Sequence, residues 1–225
     1  EIFSVYSNLF ANPDLEKSTF YSARLNIYFL NFQTEQKVLE IIQTIQKNTT
    51  NVFSGLNQKE KTQIFVDLNN ILVNRGHLSE SFHFAMHLNL HDVDEELLIT
   101  HFYNFIYPLL ELGEFEIAEK IFIKCKDQPQ VNGVFLNWSG FIYQAWFELK
   151  SQDPIHLSKA LQLYQEGSSL IDQEFGRYSL KKYENLENLG YTFGLKGDYE
   201  NSLSQLDQAI RIVQKTYQND CVYSL

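Results

Sequence analysis

One short word recurs in this sequence, each time with the same sequel. Gly113-Glu114-Phe115-Glu116 is followed by Ala118, Phe122 and Cys125, and Gly197-Asp198-Tyr199-Glu200 is followed at the same offsets by Ser202, Leu206 and Ala209. Gly76-His77-Leu78-Ser79 opens a third copy, with Ser81, Ala85 and Leu88 at those offsets. A glycine ends a helix at little steric cost because it enters the left-handed region freely. Asp198, Glu114 and Ser79 then suit the positive end of the helix that follows. The small residues Ala118, Ser202 and Ser81 let that second helix approach the first closely. The word therefore marks a helical hairpin, and its recurrence marks a repeat.

The spacing completes the series. Gly76 and Gly113 are 37 residues apart, and Gly113 and Gly197 are 84 apart. The longer gap holds two units of about 42 residues and predicts a turn near Gln152-Asp153-Pro154. Trp146 and Phe147 precede that turn; Ala160, Leu161 and Tyr164 follow it. A degenerate first copy turns at Gln33-Thr34-Glu35, between Leu25/Phe29 and Val38/Ile42/Ile45. One hairpin cannot bury its apolar stripe alone, whereas stacked neighbours can. The expected fold is all-α: a right-handed α-solenoid of about five hairpins, forming a single domain over 1–225. A leading helix covers 1–11, and the repeats cover about 18–48, 58–90, 95–127, 133–172 and 178–217.

Composition narrows the function. Hydrophobic residues make up 44% and charged residues 20%, the balance of a globular chain. The formal net charge is −10 and no basic cluster offsets it, which argues against nucleic acid and anionic membranes as direct partners. No apolar run approaches the roughly 18 residues of a membrane span. Two cysteines, Cys125 and Cys221, are no disulfide framework, so a reducing, cytoplasmic setting is expected. The chain opens Glu1-Ile2-Phe3 without an initiator Met, as expected of a piece of a longer protein.

No constellation carries catalysis. His83, His87 and His91 fall at i, i+4 and i+8, and the first two have helical metal-ligand spacing. They map to the outward side of their helix, away from Ser81, Ala85 and Leu88, and no carboxylate lies between them as HExxH requires. They read as solvated side chains. There is no phosphate-binding glycine loop, GxSxG or CxxC. Asp94-Glu95-Glu96 suits a helix N-terminus, and Glu184 and Glu187 sit on a solvated face. Cys125 occupies a core position as a small hydrophobe. No catalytic residue, metal site or cofactor is expected.

The last unit resembles the tetratricopeptide repeat. Leu189-Gly190 matches that family's Leu-Gly pair, Phe193 its first-helix aromatic, Ser202 its small residue, and Leu206 and Ala209 its second-helix core. Phe105 and Ile106 replace the Leu-Gly pair in the middle unit. The likeness covers about 18–217. It implies that the first helix of each pair lines a concave groove, with Arg24, Ile27 and Asn31 inward, then Val66, Asn70 and Asn74, then Tyr103, Asn104 and Tyr107, then Ile142 and Trp146. An Asn both donates and accepts, so it can grip a peptide backbone whatever its sequence. Arg24 would hold a carboxylate.

Taken together, the degenerate hairpins, the Asn-dotted aromatic inner face, the acidic charge and the start without Met resemble the repeat domain of Gram-positive peptide-pheromone receptors, the Rgg/MutR and PlcR-like class. That likeness implies a regulatory domain that binds a short, mostly hydrophobic signalling peptide, forms homodimers, and controls an attached helix-turn-helix domain. DNA would be contacted only through that N-terminal part, which this sequence lacks. Two other readings stand beside it: a general scaffold for protein partners, and a steric regulator of a phosphatase or kinase. Titration with zinc or nickel is expected to show no tight stoichiometric site; stoichiometric binding abolished by His83→Ala with His87→Ala would contradict the reading of the histidines.

Overall fold

The computed structural model describes Gln36, Glu40 and residues 56–81 and 94–222. Gln36 and Glu40 are helical. The further helices are α1 (Gln58–Asn74), α2 (Glu95–Thr100), α3 (Phe102–Glu111), α4 (Phe115–Cys125), α5 (Gly133–Trp146), α6 (Pro154–Glu174), α7 (Leu180–Leu195) and α8 (Tyr199–Val222). Residues 78–81 are also helical, and a π-helical turn, Phe147–Ser151, extends α5. No strand occurs among the described residues. The chain divides into two compact units, Glu1–Pro108 and Leu109–Leu225.

The three glycine words share one hydrogen-bond pattern. At each, the amide after the glycine bonds five residues back and the glycine amide bonds three back: His77 to Leu72 O (2.8 Å) with Gly76 to Val73 O (3.0 Å), Glu114 to Leu109 O (2.8 Å) with Gly113 to Leu110 O (3.1 Å), and Asp198 to Phe193 O (2.9 Å) with Gly197 to Gly194 O (3.0 Å). This double closure satisfies carbonyls that the helix end leaves open, and it needs a left-handed residue. Gly113 and Gly197 supply it, at φ 76° and 83°. The turn expected at Gln152-Asp153-Pro154 is made differently. Gln152 adopts φ 49° without being a glycine, Asp153 accepts from Ile155 N at 3.0 Å, and Pro154 starts α6 where no amide donor is needed. Asp94 and Asp198 also cap as their sequence positions suggest, accepting from Leu97 N (3.0 Å) and Asn201 N (3.3 Å). Glu114 occupies the cap of α4 without a side-chain bond.

In the first unit α1 opens with a reciprocal cap: Asn57 Oδ1 accepts from Glu60 N at 2.9 Å and Glu60 Oε2 from Asn57 N at 3.0 Å. Ile64, Leu68 and Leu72 are buried along it. The amide of Asp94 donates to Thr62 Oγ1 (3.0 Å) and ties the start of α2 to α1. Pro108 lies inside α3, so the carbonyl of Asn104, four residues earlier, has no helical donor. The buried Asn69 of α1 donates its Nδ2 to that carbonyl and accepts from Ser81 Oγ. One asparagine thus satisfies the gap that the proline makes and joins three helical segments.

In the second unit the helices meet where side chains are absent. A Cβ on Gly133 would lie 2.6 Å from the Ile171 amide nitrogen and 2.7 Å from the Gly167 carbonyl oxygen, so α5 and α6 touch backbone to backbone. One on Gly140 would strike the Tyr164 ring at 2.7 Å. One on Gly190 would meet Leu206 Cγ at 2.7 Å and the Ser202 carbonyl at 3.1 Å, the same device between α7 and α8. Phe115, Ala118, Phe122 and Cys125 of α4 are buried, with Phe122 against Phe135 (centroids 5.9 Å) and edge-on to Tyr143 (6.2 Å). Gly190→Leu is expected to cost roughly 1–3 kcal/mol by overpacking. Gly133→Ala should cost at least as much, because backbone cannot yield as a leucine tip can. Urea midpoints check this, and unchanged midpoints would contradict the crossings.

Candidate ligand-binding face of the second unit

Close crossing brings polar groups of α5, α6 and α7 together. Asn185, fully buried, donates Nδ2 to Asn137 Oδ1 (3.0 Å) and to the Tyr164 carbonyl (2.9 Å). The buried Tyr164 hydroxyl donates to Gln144 Oε1 (2.9 Å). Gln144 Nε2 donates to Glu148 Oε1 (3.0 Å), and Tyr191 OH donates to Glu148 Oε2 (2.8 Å). Thr192 Oγ1 donates within α7 to Asn188 O (2.8 Å). The result is a chain of hydrogen bonds from the core to the surface, Tyr164–Gln144–Glu148–Tyr191, whose inner members are rigid because they are buried and partnered. Asn188 Nδ2 reaches Asn137 Oδ1 only at 3.4 Å and keeps most of its donor capacity for another acceptor.

The chain of hydrogen bonds ends on exposed side chains, Glu148 and Tyr191. Val134, Trp138 and Phe141 follow one another at i, i+4 and i+7 on α5, all half-buried, with Trp138 and Phe141 edge-on at 5.7 Å. On α7, Lys181, Glu184, Asn188, Tyr191 and Leu195 share a helical face turned away from Gly190, which faces α8. Lys181 and Glu184 pair at 2.9 Å. Glu148 is exposed and Tyr191 is 48% exposed. The face therefore carries half-buried aromatic surface, an Asn with spare hydrogen-bonding capacity and a carboxylate fixed by two donors.

Several tyrosines hold their protons more tightly than usual. The Glu148 hydrogen bond raises Tyr191, with desolvation adding to it. Burial raises Tyr164. Burial, and then the bond to Glu119 (2.8 Å), raises Tyr143 well above the ordinary phenol range. His156 moves the other way, its imidazolium disfavoured first by burial. It stacks on Trp146 (4.6 Å), and its Nδ1 lies 2.8 Å from Ser151 Oγ.

The residues expected on an inner face are distributed as follows. Arg24, Ile27 and Asn31 lie outside the described residues, as do His83, His87 and His91. In the first unit Val66 has no exposed surface, while Asn74 is exposed and Asn70, Tyr103, Asn104 and Tyr107 are half-buried. Tyr103 and Tyr107 contact each other at 5.4 Å. Asn70 and Asn74 stand on α1 and the other three on α3, the helices that Asn69 joins. In the second unit Ile142 has no exposed surface. Trp146 lies between Phe115 of α4 (5.8 Å) and His156 of α6 (4.6 Å). Val66 and Ile142 thus serve packing, and Trp146 belongs to the stack between α4 and α6. On α5, its π-helical extension and α7, Trp138, Phe141, Glu148, Asn188 and Tyr191 are half-buried or exposed. Only the period of α5 could have indicated the first two, since Val134, Trp138 and Phe141 recur at i, i+4 and i+7.

No family model matches the chain, and no curated protein matches it either. Solved structures do. A putative kinesin light chain of Podosopora anserina with nearly identical TPR-like repeats is 11% identical over 89% of this chain and 97% of its own, with a TM-score of 0.59. BtubC (BKLC) of P. vanneervenii is 15% identical over 89% of this chain and 90% of its own, with a TM-score of 0.57. The chain has a TPR-like helical fold. At these identities the likeness establishes the fold, an all-α repeat solenoid. Among the described residues of this repeat domain, no group of His, Cys, Asp and Glu could hold a metal ion, and no helix is long and apolar enough to cross a membrane.

The raised phenols give the repeat domain an alkaline limit. Below about pH 10 folded and unfolded tyrosines are all protonated, and their contribution is fully present. Above it the unfolded chain ionises first, so stability falls as pH rises toward the folded values. Urea midpoints should drop from about pH 9 to about pH 11, less steeply in Tyr143→Phe and Tyr164→Phe. An equal drop in both variants would contradict the assignment.

Proposed function

We propose that the repeat domain binds a segment of another polypeptide on the open face of α5 and α7. The observation that supports this reading is Asn188 of α7, half-buried and with only a long hydrogen bond to Asn137, the residue before Trp138 on α5, while Tyr191 lies three residues further along α7. A free carboxamide bonds backbone amide and carbonyl alike, and the aromatic surface takes apolar side chains. The role is that of a protein-interaction module and involves no catalysis. In the first unit, Asn70 and Asn74 of α1 and Tyr103, Asn104 and Tyr107 of α3 are of the same residue types, and we assign them the same kind of use.

The finer reading makes the ligand a short, mostly hydrophobic signalling peptide and the chain the sensory part of a transcriptional regulator that acts as a homodimer. The support for it is the sequence resemblance together with a binding face of short-peptide chemistry. Calorimetry against short peptides encoded beside the gene distinguishes it from a scaffold for folded partners. Micromolar binding of one such peptide supports the signalling role; no binding at millimolar concentration, with tight binding of a folded protein, replaces it with the scaffold. For whichever peptide binds, Asn188→Ala should weaken sequence-unrelated peptides alike, by about 0.5–1.5 kcal/mol. Phe141→Ala should change which peptides bind. Unaltered affinities in both variants would remove the face from consideration.

A further inference from the structure

The carboxylates of the second unit differ in their partners. Glu116 pairs with Lys150 (2.9 Å), Glu119 with Lys159 (3.1 Å) and Glu184 with Lys181 (2.9 Å). Among the described residues, no cation pairs with Glu148. Its oxygens accept from two neutral donors, Gln144 Nε2 and Tyr191 OH, one to each oxygen. An ionised carboxylate has about four acceptor sites, so half of its capacity faces solvent. It is nevertheless held in one place, because Gln144 is fixed from behind by the buried Tyr164. An exposed glutamate ordinarily loses side-chain freedom when it binds something. For Glu148 that freedom is already restricted in the folded chain, which lowers the cost of binding.

The surroundings indicate what would complete it. The exposed ring of Tyr191 stands beside the carboxylate, and the half-buried Trp138 and Phe141 precede it on α5. A planar guanidinium can hydrogen-bond a carboxylate while lying along a tyrosine ring, and it carries the charge that an exposed anion lacks. The chain as a whole, at a net charge of −10, attracts cationic segments and repels anionic ones. We infer that the segment bound on α5 and α7 carries an arginine or lysine that seats on Glu148 and Tyr191, with apolar side chains beside it on Trp138 and Phe141. This deepens the polypeptide-binding reading and rests on it. It also specifies that reading: the ligand is selected by a positive charge at one position.

The test uses a displayed random-peptide library panned on the full chain. The strongest peptide is then synthesised with arginine, with lysine and with citrulline, the neutral isostere, at its basic position. Each is titrated by fluorescence anisotropy into the wild-type chain, Glu148→Gln and Tyr191→Phe, with circular dichroism confirming that each variant is folded. Selected peptides should carry Arg or Lys next to apolar residues. Citrulline should weaken binding to the wild type about two- to fivefold, the range of an exposed ion pair, and more at low salt than at high salt. On Glu148→Gln the arginine and citrulline peptides should bind equally. Selected peptides without a basic residue, or a citrulline penalty that persists on Glu148→Gln, would overturn the inference and leave the binding face intact. If no peptide is retained by the chain, the binding face fails and the inference fails with it.

Discussion

The second unit depends on how closely α5 and α6 approach. Their backbones touch at Gly133 and Gly167, where a single added carbon would collide with main-chain atoms that cannot move aside. That contact fixes the separation of the two helices to within a fraction of an ångström. The same separation lets the Tyr164 ring pack against Gly140 and still reach Gln144 with its hydroxyl. A wider crossing would leave the buried hydroxyl of Tyr164 without its partner Gln144, at a cost of about 1–3 kcal/mol. Glycine at the crossing and polar groups in the core are therefore one arrangement, and neither is stable without the other.

From that crossing, order passes outward along covalently unrelated side chains. Tyr164 holds Gln144, Gln144 holds Glu148, and Glu148 holds Tyr191 of the neighbouring α7. Each link is a single hydrogen bond of modest net worth, but the first is fully buried and the last is on the surface. Rigidity made in the core is thus delivered to groups that solvent and a ligand can reach. The π-helical turn Phe147–Ser151 lies where this chain emerges, and its extra residue per turn sets where Glu148 leaves the helix.

Much of the fold was legible because turns are local chemistry. Gly76, Gly113 and Gly197 announce left-handed helix ends, and the residues after them keep one offset pattern through three copies. The turn at Gln152-Asp153-Pro154 was legible from spacing and from Pro154, though not from Gln152, whose positive φ no glycine signals. The face was far less legible. Asn137 and Asn185 are 48 residues apart and become partners only through stacking of helices. The tetratricopeptide register alone does not show that Trp146 stacks with Phe115 of α4 and His156 of α6, because those partners lie on other helices. The role of Asn69 is hidden from the sequence for a related reason. Its role arises from Pro108, a lost donor nearly forty positions away.

The central claim is that the ordered side chains at the end of the Tyr164 chain form the surface on which a polypeptide lies. Backbone-amide chemical-shift mapping of the second unit during titration with a bound peptide tests it most directly. The account predicts perturbations concentrated on Trp138, Phe141, Glu148, Asn188 and Tyr191, with the outward residues of α6 unchanged. Perturbations concentrated on Ile155, Lys159 and Gln162 of α6, with α5 and α7 silent, would contradict it.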